Sequence, residues 1–275
     1  MNKNLCMRVV SLLICCALLF SFGGCKDNSD NDNDDGKSTS QQASTTTTKQ
    51  TTTQAEIKST DKLIALTFDD GPYSPVTNKI LDTLEKCGAK ATFFVVGNRI
   101  PQYADCVKRA SELGCEIGSH TYSHKNLTKV SPDGMRSELD KAAAEIEKAA
   151  GKRPSVVRPP EGATNESVRG SIGYPMVMWS VDSLDWKNKD AQKDYDIVME
   201  NVYDGCIVLM HDLYPATAEA VARIVPELTA QGYKFVTFSE LMKARGVDVE
   251  AGTRYFSAKP KTEPSSAATS ASADA

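Results

Sequence analysis

Short runs of β-branched and aromatic residues recur through the middle of the chain, and each is too apolar for a strand with one face in water. The runs are LIALTF (63–68), ATFFVVG (91–97), CEIGS (115–119), SVVR (155–158), PMVMWSV (175–181), CIVLM (206–210) and KFVTF (234–238). Continuous apolar runs of this length are typical of parallel strands that are buried on both faces. The pattern therefore predicts a parallel sheet.

Amphipathic stretches between several of these runs predict helices. In the clearest, residues 131–151, Ser131 can cap the first turn, an apolar stripe follows, and Gly151 can end the helix. Further helices are predicted at 75–86, 101–113, 190–203 and 217–231. A strand and helix unit repeated about seven times, with no glycine-rich phosphate loop, favours a barrel-like α/β domain over an open doubly wound sheet.

The amino-terminal segment has the pattern of an export signal. Lys3 and Arg8 precede an apolar run over 9–22, which is shorter than the roughly 20 residues of a bilayer-spanning helix. Small residues and Cys25 follow, and this ending resembles a bacterial lipobox. We therefore predict a lipoprotein-type signal peptide over 1–24 with Cys25 as the lipidated residue, the alternatives being an ordinary cleaved signal or an uncleaved anchor.

Two further segments have too few apolar residues to form a core. Residues 25–60 consist mainly of Asp, Asn, Ser, Thr and Gln, and 257–275 are small and polar. Such compositions do not bury enough surface to offset the entropy of ordering the chain. We predict a disordered tether over 25–60, a folded domain over 61–256 and a disordered tail over 257–275.

Composition and charge restrict the function. Hydrophobic side chains make up 40% of the 275 residues, which is sufficient for a packed domain. Lys and Arg total 32 against 36 for Asp and Glu, so we expect no nucleic-acid partner. Four cysteines fall in the predicted domain, and buried thiols are favoured there over disulfides. These cysteines are Cys87, Cys106, Cys115 and Cys206.

Residues capable of chemistry follow the predicted strands. Asp69 and Asp70 end the first run, His120 and His124 follow the third, Arg158 ends the fourth, Asp182 and Asp185 follow the fifth, and His211 and Asp212 follow the sixth. In α/β barrels the carboxyl ends of the strands form the face that carries the active site. The sequence therefore predicts one site at this face.

Two short motifs are ambiguous separately and informative together. HTYSH, with His120 and His124, is by itself more often a chance pair, and the Asp-Gly-Pro that follows Asp69 is ordinary turn chemistry. One of the two carboxylates, Asp69 or Asp70, with two imidazoles gives three ligands and an open position, as in catalytic metal sites. The other carboxylate can then serve as a base.

The order of five motifs resembles the polysaccharide deacetylase family, which carries the NodB homology domain and is also called carbohydrate esterase family four. The motifs are TFDDGP, HTYSH, RPPEG, DSLDW and IVLMHD. The resemblance covers about residues 61–240. It implies a distorted (β/α) barrel, and removal of N-acetyl or O-acetyl groups from glycans with a divalent metal.

The resemblance also implies a role for the residues that match these motifs. Asp69 would be the general base, Asp70, His120 and His124 the metal ligands, and His211 the general acid that protonates the departing amine. An amide nitrogen leaves poorly as an anion, so the acid matters, and an imidazole with a near-neutral pKa suits the role.

Two more residues would orient this machinery. The resemblance implies that Arg158 pairs with Asp69 and that Asp185 holds His211 protonated. The simpler alternative is that Arg158 and Asp185 pair with each other.

Four residues would form the substrate side of the site. Trp186 would wall the sugar groove and Leu209 the acetyl pocket, with core packing as the alternative for both. Pro160 and Glu161 of RPPEG would also face the substrate. Glu161 stands where the family usually has an aromatic residue. The resemblance implies that the backbone N–H at this position serves the oxyanion, and a backbone donor survives a change of side chain, whereas the wall of the groove is altered.

The expected function is metal-dependent deacetylation of N-acetylglucosamine residues in a cell-surface glycan, with peptidoglycan as the first expectation. The alternatives are O-deacetylation of xylan, deacetylation of chitin oligomers or an exopolysaccharide, and glycan binding without catalysis. Zinc is the expected metal, although Co, Mn or Fe can occupy such a set of ligands. We expect a monomer on the outer face of the bacterial cytoplasmic membrane, anchored through Cys25 and facing the cell wall.

Overall fold

Strands and helices alternate along residues 56–260, the part of the chain that the computed structural model describes. The predicted signal peptide, Cys25, most of the predicted tether and most of the predicted tail lie outside the described residues. Over 56–260, no helix combines the length and the apolar character needed to cross a bilayer.

Eight strands and eight helices make up the described part. The strands are β1 (Lys62–Asp69), β2 (Thr92–Val95), β3 (Glu116–Ser119), β4 (Met176–Val177), β5 (Val181–Asp182), β6 (Cys206–His211), β7 (Tyr233–Phe235) and β8 (Arg254–Tyr255). The helices are α1 (Ser74–Cys87), α2 (Ile100–Glu112), α3 (Pro132–Ala150), α4 (Glu166–Ser171), α5 (Asp185–Asn188), α6 (Ala191–Asn201), α7 (Pro215–Ala230) and α8 (Phe238–Ala244). Each predicted helix is confirmed, α7 continuing through Pro226.

The main sheet is parallel and centred on β1. Its order is β3-β2-β1-β6-β5, and β7 pairs with the first residues of β1. Every residue of β1 after Lys62 is buried, as the uniformly apolar run predicts. All carboxyl ends therefore lie at one face of the sheet, which we call the top, and all amino ends at the other, which we call the base.

Residues 155–182 close the sheet irregularly into a barrel. Val157 forms parallel bridges to Ser119 at the end of β3 and to Met176 in β4. The chain then changes partner, because Met178 N–H donates to the carbonyl of Tyr255 in β8 and Ser180 N–H donates to the carbonyl of Ile207 in β6. The runs at 155–158 and 175–181 are thus a single bridging residue and two short strands, and the distorted barrel is confirmed.

Helix α3 illustrates how the sequence determines the outer layer. The Ser131 hydroxyl accepts a hydrogen bond from Gly134 N–H at 3.1 Å, and Gly151 ends the helix with φ of 75°. Its buried stripe consists of Met135, Glu138, Leu139, Ala142, Ala143 and Ile146. The capping serine, the buried stripe and the terminal glycine of α3 match the prediction, except that the stripe also contains the carboxylate of Glu138.

Arg245 joins the two ends of the domain at the base. Its guanidinium donates to the carbonyl oxygens of Ser59 and Ala258, the second at 3.3 Å. Ile57 also packs against the core. The packed region therefore extends a few residues beyond the predicted bounds of 61–256 on both sides.

The four cysteines of the described part form no disulfide, and three of them are buried. Burial raises the pKa of Cys115 and of Cys206 to about 11. These thiols pack as small apolar groups.

Candidate active site

A cleft of about 380 Å³ opens at the top of the barrel, where β1, β3, β5 and β6 end. Its lining consists of Asp69, Asp70, His120, His124, Glu161, Gly162, Trp179, Asp182, Trp186, Leu209 and His211. Most of the predicted site residues therefore meet in one place, as the rule for strand ends in α/β barrels requires.

Asp70, His120 and His124 form a cluster with the geometry of a metal site. Asp70 Oδ1 lies 3.1 Å from Nε2 of His124 and 3.4 Å from Nε2 of His120. One potential ligand atom from each residue lies within 4.8 Å of the others. The sequence-predicted ligand set is thus assembled in space.

The atoms that this cluster presents suit the binding of a cation. His120 Nδ1 lies 2.7 Å from the carbonyl oxygen of Arg158, and since a carbonyl only accepts, this nitrogen carries the proton. With the proton on Nδ1, Nε2 of His120 is the ring nitrogen that can present a lone pair to the cluster. Asp70 Oδ1 is buried without a hydrogen-bond partner among the described residues. Converging carboxylate and imidazole acceptors are a ligand set for zinc and related divalent ions.

The protonation of the cluster follows from the same contacts. Burial opposes the ionised form of Asp70, but its contacts with His120 and His124 outweigh burial and hold its pKa well below the usual range. The contact with Asp70 raises the pKa of His124. Because protons compete with a cation for these atoms, metal affinity should fall as the pH falls.

The cluster lies on strained backbone. Asp70, Thr121 and His124 have φ values of 72°, 66° and 57°. The left-handed region costs a residue other than glycine roughly 1–2 kcal/mol, and a β-branched residue such as Thr121 is rarely found there. HTYSH thus folds as a loop after β3, and other parts of the fold must stabilise its shape.

Arg158 orients Asp69 from inside the barrel. Its Nη1 donates to Asp69 Oδ1 at 2.7 Å and to the Thr67 hydroxyl at 2.8 Å. The other nitrogens donate to the carbonyl oxygens of Val177 and Met178, each at 2.9 Å. Arg158 is fully buried, and its carboxylate partner is Asp69 rather than Asp185. Burial lowers the pKa of Arg158, which the ion pair with Asp69 opposes.

Asp185 holds His211 in the same manner at the end of the neighbouring strand β6. His211 Nδ1 lies 2.7 Å from Asp185 Oδ1, and Asp185 Oδ2 accepts from His211 N–H and the Thr217 hydroxyl, each at 2.7 Å. Burial opposes the charged imidazole, but Asp185 outweighs burial and raises the pKa of His211 to about 9. His211 therefore carries a proton at neutral pH.

The predicted substrate residues take different positions. Trp186 is 48% exposed at the rim and Leu209 is buried in the lining. Glu161 lines the cleft with φ of 61°, and its carboxylate accepts from Asn126 Nδ2 at 2.7 Å. Pro160 is buried beside this turn and does not line the cleft.

The cleft also contains residues that the sequence did not assign to it. Trp179 and Gly162 line it together, and a Cβ on Gly162 would lie 2.8 Å from the Trp179 ring. Trp179 lies within the run 175–181, whose apolar composition indicated core. Thr217 does not line the cleft but binds Asp185, and it was missed because a threonine in a helix gives no signal of such a contact.

Asp212, which follows His211, does not line the cleft. Its buried carboxylate accepts from the Thr77 hydroxyl at 2.5 Å. A Cβ on Gly71 would lie 2.2 Å from both carboxylate oxygens, so only glycine permits this close approach beneath Asp70. Burial raises the pKa of Asp212 to about 7.

Comparisons with known proteins agree with this geometry. The profile of the family described as polysaccharide deacetylase matches residues 56–176. The chain is 43% identical over 197 residues to the peptidoglycan-N-acetylglucosamine deacetylase PgdA of Listeria monocytogenes, covering 72% of this chain and 42% of that protein. It is 38% identical over 196 residues to a peptidoglycan-N-acetylglucosamine deacetylase of Bacillus cereus, covering 68% of this chain and 92% of that protein.

A solved structure is similarly close. The family 4 acetyl xylan esterase of Clostridium thermocellum, in complex with a cobalt ion, superposes with a TM-score of 0.68 at 37% identity. The match covers 71% of this chain and 98% of that one. The first curated relative is much longer than the matched region, since the chain spans only 42% of its length.

Proposed function

This chain belongs to the polysaccharide deacetylase family, and on that premise we propose that it is a metal-dependent hydrolase that deacetylates N-acetylglucosamine residues of a cell-surface glycan. One observation carries the proposal. The carboxylate held by Arg158 and the imidazole held by Asp185 line the same cleft as the Asp70, His120 and His124 cluster.

The cluster would hold one divalent ion through Asp70 and the Nε2 atoms of His120 and His124. When bound, such an ion polarises an acetyl carbonyl and lowers the pKa of water from 15.7 towards about 7. The three ligand groups already converge, since one potential ligand atom from each lies within 4.8 Å of the others.

Asp69 would accept the proton of the attacking water. Arg158 occupies its Oδ1 at 2.7 Å, and Oδ2 lies 3.7 Å from His120 Nε2, which places it beside the metal cluster. Asp69 is thus held as a base in a fixed orientation.

His211 would supply the proton that the departing nitrogen needs. Water's hydroxyl adds to the acetyl carbon, the carbon–nitrogen bond breaks, and the nitrogen leaves as an amine once His211 protonates it. The products are acetate and an amino sugar. A positioned acid or base contributes about 10² to 10⁴ in rate. Asp185 would keep the proton-donating nitrogen of His211 directed into the cleft.

Peptidoglycan is the substrate that we propose. This choice is supported by the relatives from Listeria monocytogenes and Bacillus cereus, both of which are named peptidoglycan-N-acetylglucosamine deacetylases. The likeness to an acetyl xylan esterase makes ester hydrolysis on xylan the alternative to be tested. We propose zinc as the native metal because the nitrogen and oxygen donors suit it, with cobalt, manganese and iron as alternatives.

We further propose that the protein acts as a monomer, anchored by lipid at Cys25 on the outer face of the bacterial cytoplasmic membrane and facing the wall. The support is the charged start, short apolar run and small-residue ending before Cys25. Labelling with a radioactive fatty acid tests it. Cys25→Ala should lose the label and leave the membrane fraction, and an unlabelled wild type would refute the anchor.

The activity is tested by acetate release from purified peptidoglycan glycan, chitin oligomers and acetylated xylan, each with and without a chelator. We expect chelator-sensitive release, greatest from peptidoglycan, that returns when zinc is resupplied. Faster release from xylan would support the alternative substrate. No release from any glycan, with metal resupplied, would leave glycan binding as the function.

A further inference from the structure

The loop that carries two of the three metal-ligand residues does not stabilise its own shape. Thr121 and His124 both have positive φ, and the Thr121 hydroxyl is buried without a hydrogen-bond partner among the described residues. Backbone bonds from Gly97 and Asn98 hold only its first half, at the carbonyls of residues 121 and 122. The second half, which ends at His124, needs another source of support.

Glu138 of α3 reaches that second half. Its Oε2 accepts from Ser123 N–H at 2.8 Å and its Oε1 accepts from the Ser123 hydroxyl at 2.8 Å. Lys125 Nζ lies 3.2 Å from the same Oε1. The carboxylate therefore binds the residues on both sides of His124.

The position of Glu138 is unusual for its residue type. Only 7% of it is exposed, and it lies within the apolar stripe of α3, where a leucine or alanine would satisfy the helix. A buried carboxylate is costly unless its oxygens are hydrogen-bonded, and here both oxygens bind the loop. The contact with Ser123 explains why this carboxylate is retained in the core face.

His124 is the ligand that most needs this support. His120 is fixed by β3 and by the bond from its Nδ1 to Arg158. The His124 side chain, by contrast, is 39% exposed. Its direction therefore depends on its contact with Asp70 and on the backbone between Ser123 and Lys125.

We propose that Glu138 is a positioning residue for the metal site, which holds His124 against Asp70 by binding Ser123. This inference rests on the metal site of the proposed function. Loss of groups that orient metal ligands costs about 10- to 100-fold in affinity, and we expect the same range for Glu138→Ala.

Cobalt(II) titration of the metal-free full chain tests the proposal, with affinity measured by competition against a chromophoric chelator. The visible absorption of bound cobalt reports its coordination. Glu138→Ala should bind cobalt about 10- to 100-fold more weakly and with a changed spectrum. Glu138→Gln should stay within about threefold of wild type, since its oxygen can accept from Ser123 N–H while its amide donates to the hydroxyl.

A matched control separates positioning from general stability. Glu145 lies seven residues further along α3, and Glu145→Ala should leave both cobalt affinity and spectrum unchanged. Thermal unfolding of each metal-free variant is measured in parallel. If Glu138→Ala does not fold, Ser123→Ala serves instead, with an expected loss of about threefold or more.

The outcomes distinguish this inference from the proposed function. Wild type that fails to bind cobalt would contradict the metal site itself. Wild type that binds cobalt while folded Glu138→Ala binds it equally well, with the same spectrum, would overturn the role of Glu138 alone.

Discussion

The guanidinium of Arg158 donates to Asp69 Oδ1 over 2.7 Å although no part of the arginine reaches solvent. A buried cation without a charged partner is strongly destabilising, so the pair fixes both groups. Asp69 is thereby separated from the neighbouring Asp70, whose oxygen faces the two histidines. The proposal of different tasks for these two adjacent aspartates follows from this difference, since among the described residues Arg158 contacts Asp69 and not Asp70.

Asp69→Asn tests this division. The amide keeps the shape and accepts from Arg158, but it cannot take a proton from water. We expect the turnover number to fall by about 10² to 10⁴, while metal content stays at the wild-type level because the three ligands are untouched. Acetate release and metal analysis on the same sample check this. Turnover within a fewfold of wild type would refute Asp69 as the base.

Asp185→Asn should move the basic limb of the pH–rate profile. Asp185 raises the pKa of His211 from 6.5 to about 9, so an acid at this position loses its proton, and the enzyme its activity, as the pH rises through the raised value. Without the carboxylate the limb should move towards pH 6.5. A bound cation would oppose the contributions of Asp69 and Asp70 to the pKa of His211 in the wild type and in the variant alike. The test is therefore the difference between the basic limbs of the two pH–rate profiles. Superimposable basic limbs would contradict the role of Asp185.

Metal should stabilise the folded protein. An ion that binds only the native state at a concentration of one hundred times its Kd adds about 2.7 kcal/mol, which raises the Tm of a domain of this size by about 5–10 °C. Calorimetry with zinc and with chelator measures the shift. Asp70→Asn should abolish it and Asp69→Asn should retain it. The opposite pattern would exchange the roles of the two aspartates.

Glu161→Tyr should change the choice of glycan. No lysine or arginine lines the cleft in the part of the chain that the structure describes, so we expect the Glu161 carboxylate to favour cationic, partly deacetylated chains. An exposed charge of this kind is worth about 0.2–1 kcal/mol, or up to about fivefold in relative kcat/KM, and salt should weaken it.

A second variant isolates the charge of Glu161. Glu161→Gln can still accept from Asn126, so it should lose the preference for partly over fully acetylated oligomers without gaining an aromatic wall. Unchanged relative rates in both variants would refute an electrostatic role for Glu161.

The regular strands and the position of the site could be predicted from sequence because both depend on local pattern. β1 and β6 are long, buried and apolar, so their ends place Asp69 and His211 at one face. The course of the segment at 175–181 could not be predicted, because its partner strand changes from β8 at Val177 to β6 at Val181, where the barrel closes. β8 is two residues long and has no apolar run.

The supports of the site were beyond sequence reasoning for a related cause. Glu138 and Thr217 act through contacts 15 and 32 residues away along the chain, and only the packing of α3 and α7 brings them to the loop and to Asp185. Asp212 shows the converse. Its place beside His211 suggested a cleft residue, yet alternation along the chain directs it towards Thr77 and Gly71.

Arg245 binds both ends of the domain at the base, whereas the cleft opens at the top. The two faces are separated by the length of β1, about 26 Å for its eight residues. A chain held at either end would therefore present its cleft away from the point of attachment. Attachment beyond either end of the described residues would thus leave the entrance of the cleft open to a polymer strand.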